Sequence, residues 1–197
     1  MVSENSLTRN EELWEGSFGR EYVQRNPRRV PEREKFWEEI VEWTSPDRTL
    51  EVGCGVGLNL DHLWKRTEAW GIDVNLESIL LAQSIPSVNA FVGSAFDVPF
   101  KDDYFGLSFT CGVLIHQHPD VVRKVMMEVA RCSRKWVLCV EYEADEFVEI
   151  PYHGENMALF KGPYSTLYGE LGLTGVDNGV LGKDAGFDDC TWTLFEK

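Results

Sequence analysis

The sequence predicts an α/β fold: a doubly wound, mostly parallel sheet with helices on both faces and an antiparallel hairpin at the C-terminal end. Three observations carry this. From residue 48 onward, short apolar runs alternate with segments of helical periodicity, the pattern of β-α-β units. The first run exits into Leu50-Glu51-Val52-Gly53-Cys54-Gly55-Val56-Gly57, where glycines let the backbone turn sharply and admit a ligand closely. The second run ends in Gly71-Ile72-Asp73-Val74-Asn75, which sets a carboxylate twenty residues after Gly53.

Taken in order, residues 1–8 read as a frayed tail. Residues 9–26 place Leu13, Trp14, Phe18 and Tyr22 near one helical face, although Gly16 and Gly19 weigh against a helix. A clearer helix starts at Pro31 with an apolar face of Phe36, Trp37, Ile40 and Val41, and Trp43 at the margin of that face. Ser45-Pro46-Asp47 ends it. Strand one is Arg48–Val52, followed by a helix over Leu58–Arg66 and strand two over Ala69–Asp73. Asn75 caps a helix over Leu76–Ser84, and Val88–Gly93 is strand three. Tyr104–Cys111 is strand four, Val121–Arg131 a helix behind Pro119, and Trp136–Glu141 strand five. After Tyr142 the rhythm breaks: residues 143–163 are irregular, and a short helix spans Thr166–Leu171. Thr174–Leu181 and Cys190–Glu196 then form the hairpin.

A chain of 197 residues with 43% hydrophobic residues suits one ordered domain. Its parts are an N-terminal segment and helix (1–45), an alternating α/β core (46–142), an irregular insertion (143–175) and C-terminal strands (176–197). The net charge of −14 disfavours nucleic acid and anionic membranes as partners, since both need clustered cations. The main basic run, Arg25 to Arg33, is broken and flanked by glutamates. Five scattered cysteines without C-x-x-C spacing argue against a zinc site and for free thiols in a reducing compartment. With no signal pattern and no membrane-length apolar run, the expected location is the cytoplasm.

A glycine turn after one strand and an acid after the next read as a pocket for an adenosine-type cofactor, with Asp73 on the ribose hydroxyls. The spacing is G-x-G-x-G rather than the dinucleotide G-x-G-x-x-G, and Glu51 precedes it. A carboxylate there sits badly beside a pyrophosphate and well beside an ammonium and a sulfonium. This resembles motif I, (D/E)-x-G-x-G-x-G, of class I S-adenosylmethionine (SAM) methyltransferases. That resemblance implies a Rossmann-like, seven-stranded sheet and SAM as cofactor. It implies that Glu51, Gly53, Cys54, Gly55, Gly57 and Asn59 hold the methionine end and that Val74 packs on the adenine. The segment Val92 to Phe100 resembles the family's third motif, with Ser94 in place of the usual acid. Ser94 or the Ala95 amide then serves the adenine, or Ser94 is only a loop cap. Cys111 ends strand four, whose following segment passes beneath the sulfonium in this fold.

In that segment His116 is a general base, a substrate contact or a hydrogen-bonded structural histidine, while His118 caps the helix begun by Pro119. No N/D-P-P-Y signature for nucleobase amines occurs, and Asp102-Asp103 reads as a solvated turn rather than a metal site. A closer resemblance, to methylases associated with pseudaminic acid biosynthesis, rests on Phe18 to Asn26, Glu51 to Leu60, Thr110 to His116, Glu141-Tyr142, Glu149 to Gly154 and Thr191 to Lys197. It implies a lid carrying Tyr22 and Arg25, with Arg25 on the SAM carboxylate or on an acidic sugar. It also implies an acceptor pocket lined by Tyr142, Tyr152 and His153, and a polar small-molecule acceptor. Two other readings compete: a non-catalytic SAM-binding partner protein, and an NAD-dependent oxidoreductase, which the glycine spacing disfavours.

Overall fold

A computed structural model describes residues 5–25 and 29–197. Two helices open the described chain, α1 (Asn5–Glu15) and α2 (Ser17–Arg25), and α3 (Glu34–Thr44) follows. The sheet strands are β1 (Arg48–Val52), β2 (Glu68–Asp73), β3 (Val88–Val92), β4 (Phe105–Cys111) and β5 (Ser133–Glu141), then β8 (Thr174–Leu181) and β9 (Cys190–Glu196). Between them lie α4 (Leu60–Leu63), α5 (Leu76–Ala82), α6 (Val122–Cys132) and α7 (Tyr164–Glu170). A two-stranded ribbon, β6 (Val148–Glu149) with β7 (Phe160–Lys161), sits in the stretch expected to be irregular.

The seven strands run in the order β3-β2-β1-β4-β5-β9-β8. All pairs are parallel except β5–β9 and β9–β8, so the hairpin lies where the sequence put it. The sheet carries a core on each face. One core packs Leu50, Val52 and Ile72 against α6 and α7. The other packs Leu138, Val140 and Leu194 with α3, α4 and α5. In β4, Phe105 faces the first core while Leu107 and Phe109 face the second, although their parity is the same; an irregular register between Phe105 and Leu107 accounts for the switch.

Three expectations need correction. The helix over 58–66 shrinks to α4, because residues 53–59 are spent on the glycine turn and the chain tightens again behind Leu63. The frayed tail expected over 1–8 gives way to helix at residues 5–8, which belong to α1; residues 1–4 lie outside the described residues. The helical face over 9–26 is two helices parted at Gly16, and its last residue, Asn26, lies outside the described residues. Among the described residues no helix is long and apolar enough to cross a membrane.

Candidate active site

The strand order reverses between β1 and β4, and ligands of such sheets bind outside the carboxyl ends of the strands at that point. A cavity of about 510 Å³ opens there. Its floor is the turn after β1. Gly53 has φ +76° and a Cβ on it would stand 2.4 Å from Val113 Cγ2, so only glycine fits. The amides of Gly53 and Cys54 both donate to the Ile72 carbonyl (2.8 and 2.9 Å), which ties the turn to β2. A Cβ at Gly55 would meet nothing within 4 Å; the space above that residue is the cradle itself.

Two carboxylates flank the turn. Asp73 accepts from the Gly55 amide (2.9 Å) on Oδ2 and from the Asn75 amide (2.8 Å) on Oδ1. Burial raises its pKa, and those two bonds oppose the rise. Each oxygen keeps a lone pair for a further donor. Glu51 is 1% exposed, and its Oε1 accepts from Asn59 Nδ2 (2.6 Å). Its Oε2 is buried with no partner among the described residues. Burial pushes the Glu51 carboxyl up to about 8, against the pull of the Asn59 bond and the Arg33 charge. A buried oxygen without a donor, on the wall of an open cradle, suits a cationic group. Asn59 is oriented in turn by Arg33 Nη1 (2.8 Å) and Trp37 Nε1 (3.2 Å), both donating to its Oδ1.

Cys54, Val74, Ala95 and Cys111 all line the cavity. Burial raises the thiol pKa of Cys54 and of Cys111, so both remain neutral. Two sequence-named residues do not line it. Gly57 faces away, its missing Cβ making room for Ile85 Cδ1. Ser94 accepts from the Phe96 amide (3.1 Å) and donates to Glu11, the hydrogen bonding of a loop cap. His118 accepts from the Asp120 amide (3.3 Å) in the turn ahead of α6; the residue at the helix start is Val121.

At the other end, His116 is buried and its Nδ1 lies 2.6 Å from the Ala158 carbonyl. A carbonyl only accepts, so Nδ1 carries the proton and Nε2 is the ring's acceptor atom. Desolvation pushes the imidazole down to about 4, so it is neutral at physiological pH. Its ring stands between Trp14 (centroids 4.5 Å) and Tyr152 (5.1 Å). Tyr142, Tyr152 and His153 line the same cavity. Burial raises the pKa of both tyrosines. His153 has φ +49° in a tight turn closed by the Glu155 amide on the Tyr152 carbonyl (2.9 Å).

The N-terminal helices form one wall. Tyr22 is half-buried there, and desolvation pushes its phenol up to about 12. Arg25 lies over the Phe18 ring (5.7 Å) and pairs loosely with Glu21 (3.6 Å). Asn10, Trp14, Arg33 and Asp188 also line the cavity, and the sequence reading assigned none of them to the site. Trp14 was legible as part of an apolar face; the others carry no local signal that separates them from surface residues.

Residues 49–135 match the family described as "Methyltransferase domain". That span begins on β1 and holds Glu51, Asp73 and His116. Among solved structures, the fold resembles a 1,6-didemethyltoxoflavin-N1-methyltransferase from Burkholderia thailandensis with bound 1,6-didemethyltoxoflavin and S-adenosylhomocysteine. The TM-score is 0.73 at 16% identity, over 98% of this chain and 88% of the other. It also resembles a magnesium protoporphyrin IX methyltransferase from Synechocystis PCC 6803 with bound SAM, at TM-score 0.71 and 11% identity, over 100% and 99% of the two chains. A SAM-dependent methyltransferase from Methanosarcina mazei matches at TM-score 0.61 and 18% identity, over 77% and 92%.

Proposed function

We propose that this chain is a class I SAM-dependent methyltransferase and that it methylates an oxygen or nitrogen atom of a polar small molecule of the sugar, nonulosonic-acid or carboxylate-bearing type. SAM when bound supplies an electrophilic methyl group on a sulfonium. The work left to the protein is to align the acceptor with that group, exclude water and accept a proton. Asp73 holds the ribose hydroxyls. The free Oε2 of Glu51 receives the ammonium, and Gly53, Cys54 and Gly55 shape the floor beneath the methionine end.

The observation that carries the acceptor half is the tautomer of His116. With Nδ1–H on the Ala158 carbonyl, Nε2 is left with a lone pair at the cavity that His116 lines. A hydroxyl or amine of the acceptor donates to Nε2 and is thereby aimed. Its proton passes to Nε2 as the methyl arrives. Tyr142, Tyr152 and His153 combine ring faces with hydrogen-bonding groups, which suits a hydroxylated ring. Arg25 can exchange its loose pairing with Glu21 for a carboxylate, on the acceptor or on the methionine end. The test is S-adenosylhomocysteine formation from SAM with glucuronate, N-acetylneuraminate, nucleotide sugars and simple hydroxy acids, set against peptides and DNA. Turnover on the first group alone is expected. Methylation of peptides or DNA alone would overturn the acceptor class. Tight SAM binding without turnover on any acceptor would favour the non-catalytic reading.

A further inference from the structure

Three polar contacts fasten α1 across the carboxyl ends of three sheet strands. Asn75, past β2, donates Nδ2 to the Trp14 carbonyl (2.9 Å). Ser94, past β3, donates its hydroxyl to Glu11. The carbonyl of His116, past β4, accepts from Asn10 Nδ2 (2.8 Å), and Asn10 is itself buried. Asn75 has the least freedom of the three. It is 3% exposed, and its Oδ1 is committed to the Ser78 amide (3.0 Å) as the cap of α5. An amide has one oxygen and one nitrogen, so that cap turns Nδ2 toward α1. The backbone N–H of Asn75 meanwhile donates to Asp73 Oδ1 (2.8 Å).

Gly19 completes the joint. A Cβ there would stand 1.7 Å from the Trp14 carbonyl oxygen and 2.7 Å from Asn75 Nδ2, so α2 can lie on this joint only without a side chain. The glycine that weakens the helix in sequence is the residue that lets it pack. Above the joint, the Trp14 ring rests on His116.

We propose that Asn75 is a positioning residue linking the two ends of the site. Its backbone braces Asp73, and its side chain holds α1 so that Trp14 lies over His116. This rests on the reading of Asp73 and His116 given above. A ligand that orders Asp73 favours docked α1, and docked α1 retains the ligand by the same factor, since the coupling is reciprocal.

Asn75→Ser keeps a neutral capping oxygen and removes only the amide donor. Amide exchange at residues 9–25 should quicken about fivefold in the variant, the worth of one neutral hydrogen bond, both in the free protein and with S-adenosylhomocysteine bound. Exchange in α5 and the melting temperature should stay nearly unchanged, because the cap oxygen is kept. Gly19→Ala disturbs the same joint from the other side, leaves the cap intact and should reproduce the pattern. If both variants exchange at 9–25 like the parent, the proposal is wrong. If Asn75→Ser loosens α5 as much as 9–25 while Gly19→Ala does nothing, Asn75 is only a helix cap. Failure of the parent protein to bind S-adenosylhomocysteine would strike the methyltransferase reading instead, and exchange in the free protein would still decide the joint.

Discussion

Replacing Glu51 with glutamine isolates one charge inside the cavity wall. In the parent, the single bond from Asn59 does not offset burial, and the carboxyl is pushed up to about 8. The charged groups acting on it are Arg33, which lowers its pKa, and Asp73, which raises it. At pH 7 a group with that pKa is protonated about 0.9 of the time in the free protein. An ammonium against Oε2 favours the carboxylate, so cofactor binding at pH 7 should expel up to about 0.9 of a proton. Glutamine mimics the protonated side chain and can still accept from Asn59. Glu51→Gln should therefore bind SAM about 10- to 150-fold more weakly, the worth of a charged hydrogen bond of about 1.5–3 kcal/mol, and release no proton from this site.

The same shift fixes the pH dependence of stability. The folded pKa, about 8, lies above the ordinary value of 4.5, so between those values the folded state binds more protons than the unfolded one. Stability from this group is therefore present at low pH and is lost as pH rises toward about 8. The variant should lose part of that slope; Glu141, also buried and raised to about 7, retains its own contribution. Titration calorimetry at pH 7 in buffers of low and high ionisation enthalpy reads the proton, and thermal unfolding from pH 5.5 to 8.5 reads the slope. A buffer-independent enthalpy in the parent, with parent and variant melting in parallel at every pH, would refute the reasoning.

Asp73→Ala should lose at least one charged hydrogen bond to the ribose, about 1.5–3 kcal/mol of SAM affinity; unchanged affinity in calorimetry removes the assignment. It should also lower the melting temperature, because the Gly55 and Asn75 amides lose their acceptor. His116→Ala should cut turnover about 10²- to 10⁴-fold with SAM affinity nearly unchanged, and near-normal turnover on an identified acceptor ends the base role. Because His116 sits near 4, the parent's turnover should show no acid limb from this residue near pH 6.5, and one that vanished in His116→Ala would contradict its burial. Amides of residues 9–25 should exchange more slowly with S-adenosylhomocysteine bound; equal protection would make the segment ordinary structure rather than a lid.

The strands were legible because their signal is local. β1, β8 and β9 fall on the bounds read from the sequence, and β2, β3 and β4 within one residue. β5 begins three residues early, at Ser133, where the polar Ser133-Arg134-Lys135 hides the pairing with β4. The short α4 was overcalled because Leu58, Leu60, Leu63 and Trp64 mimic a helical face. Leu58 instead belongs to the turn that presents Asn59 to Glu51. The site divides in the same way. Glu51 and Asp73 were legible because a fixed spacing from glycines marks a strand end. Arg33, Asn10 and Asp188 reach the cavity only through tertiary packing, from α3's approach, from α1 and from the turn before β9. No local pattern distinguishes them from solvated charges or from the polar face of a helix.

The cavity's charges also decide between nucleotide cofactors. Glu11, Glu51, Asp73 and Asp188 line it against Arg25 and Arg33. Arg33 is already engaged, with Nε on the Gly186 carbonyl (2.9 Å), Nη1 on Asn59 and its plane over Phe187 (4.3 Å). A pyrophosphate over the glycine turn would meet Glu51 at close range, and the first helix behind that turn, α4, is four residues long. Dinucleotide sites need the opposite: no acid there, and a helix N-terminus aimed at the phosphates. A ligand with an ammonium and a sulfonium reverses the penalty at Glu51 and needs no helix N-terminus aimed at it. It gives Glu51 Oε2 the donor it lacks, draws the carboxyl into its charged form and leaves Asp73 for the ribose. The buried acid that would be a fault in an NAD site is thus, on the function proposed above, the feature suited to a sulfonium cofactor.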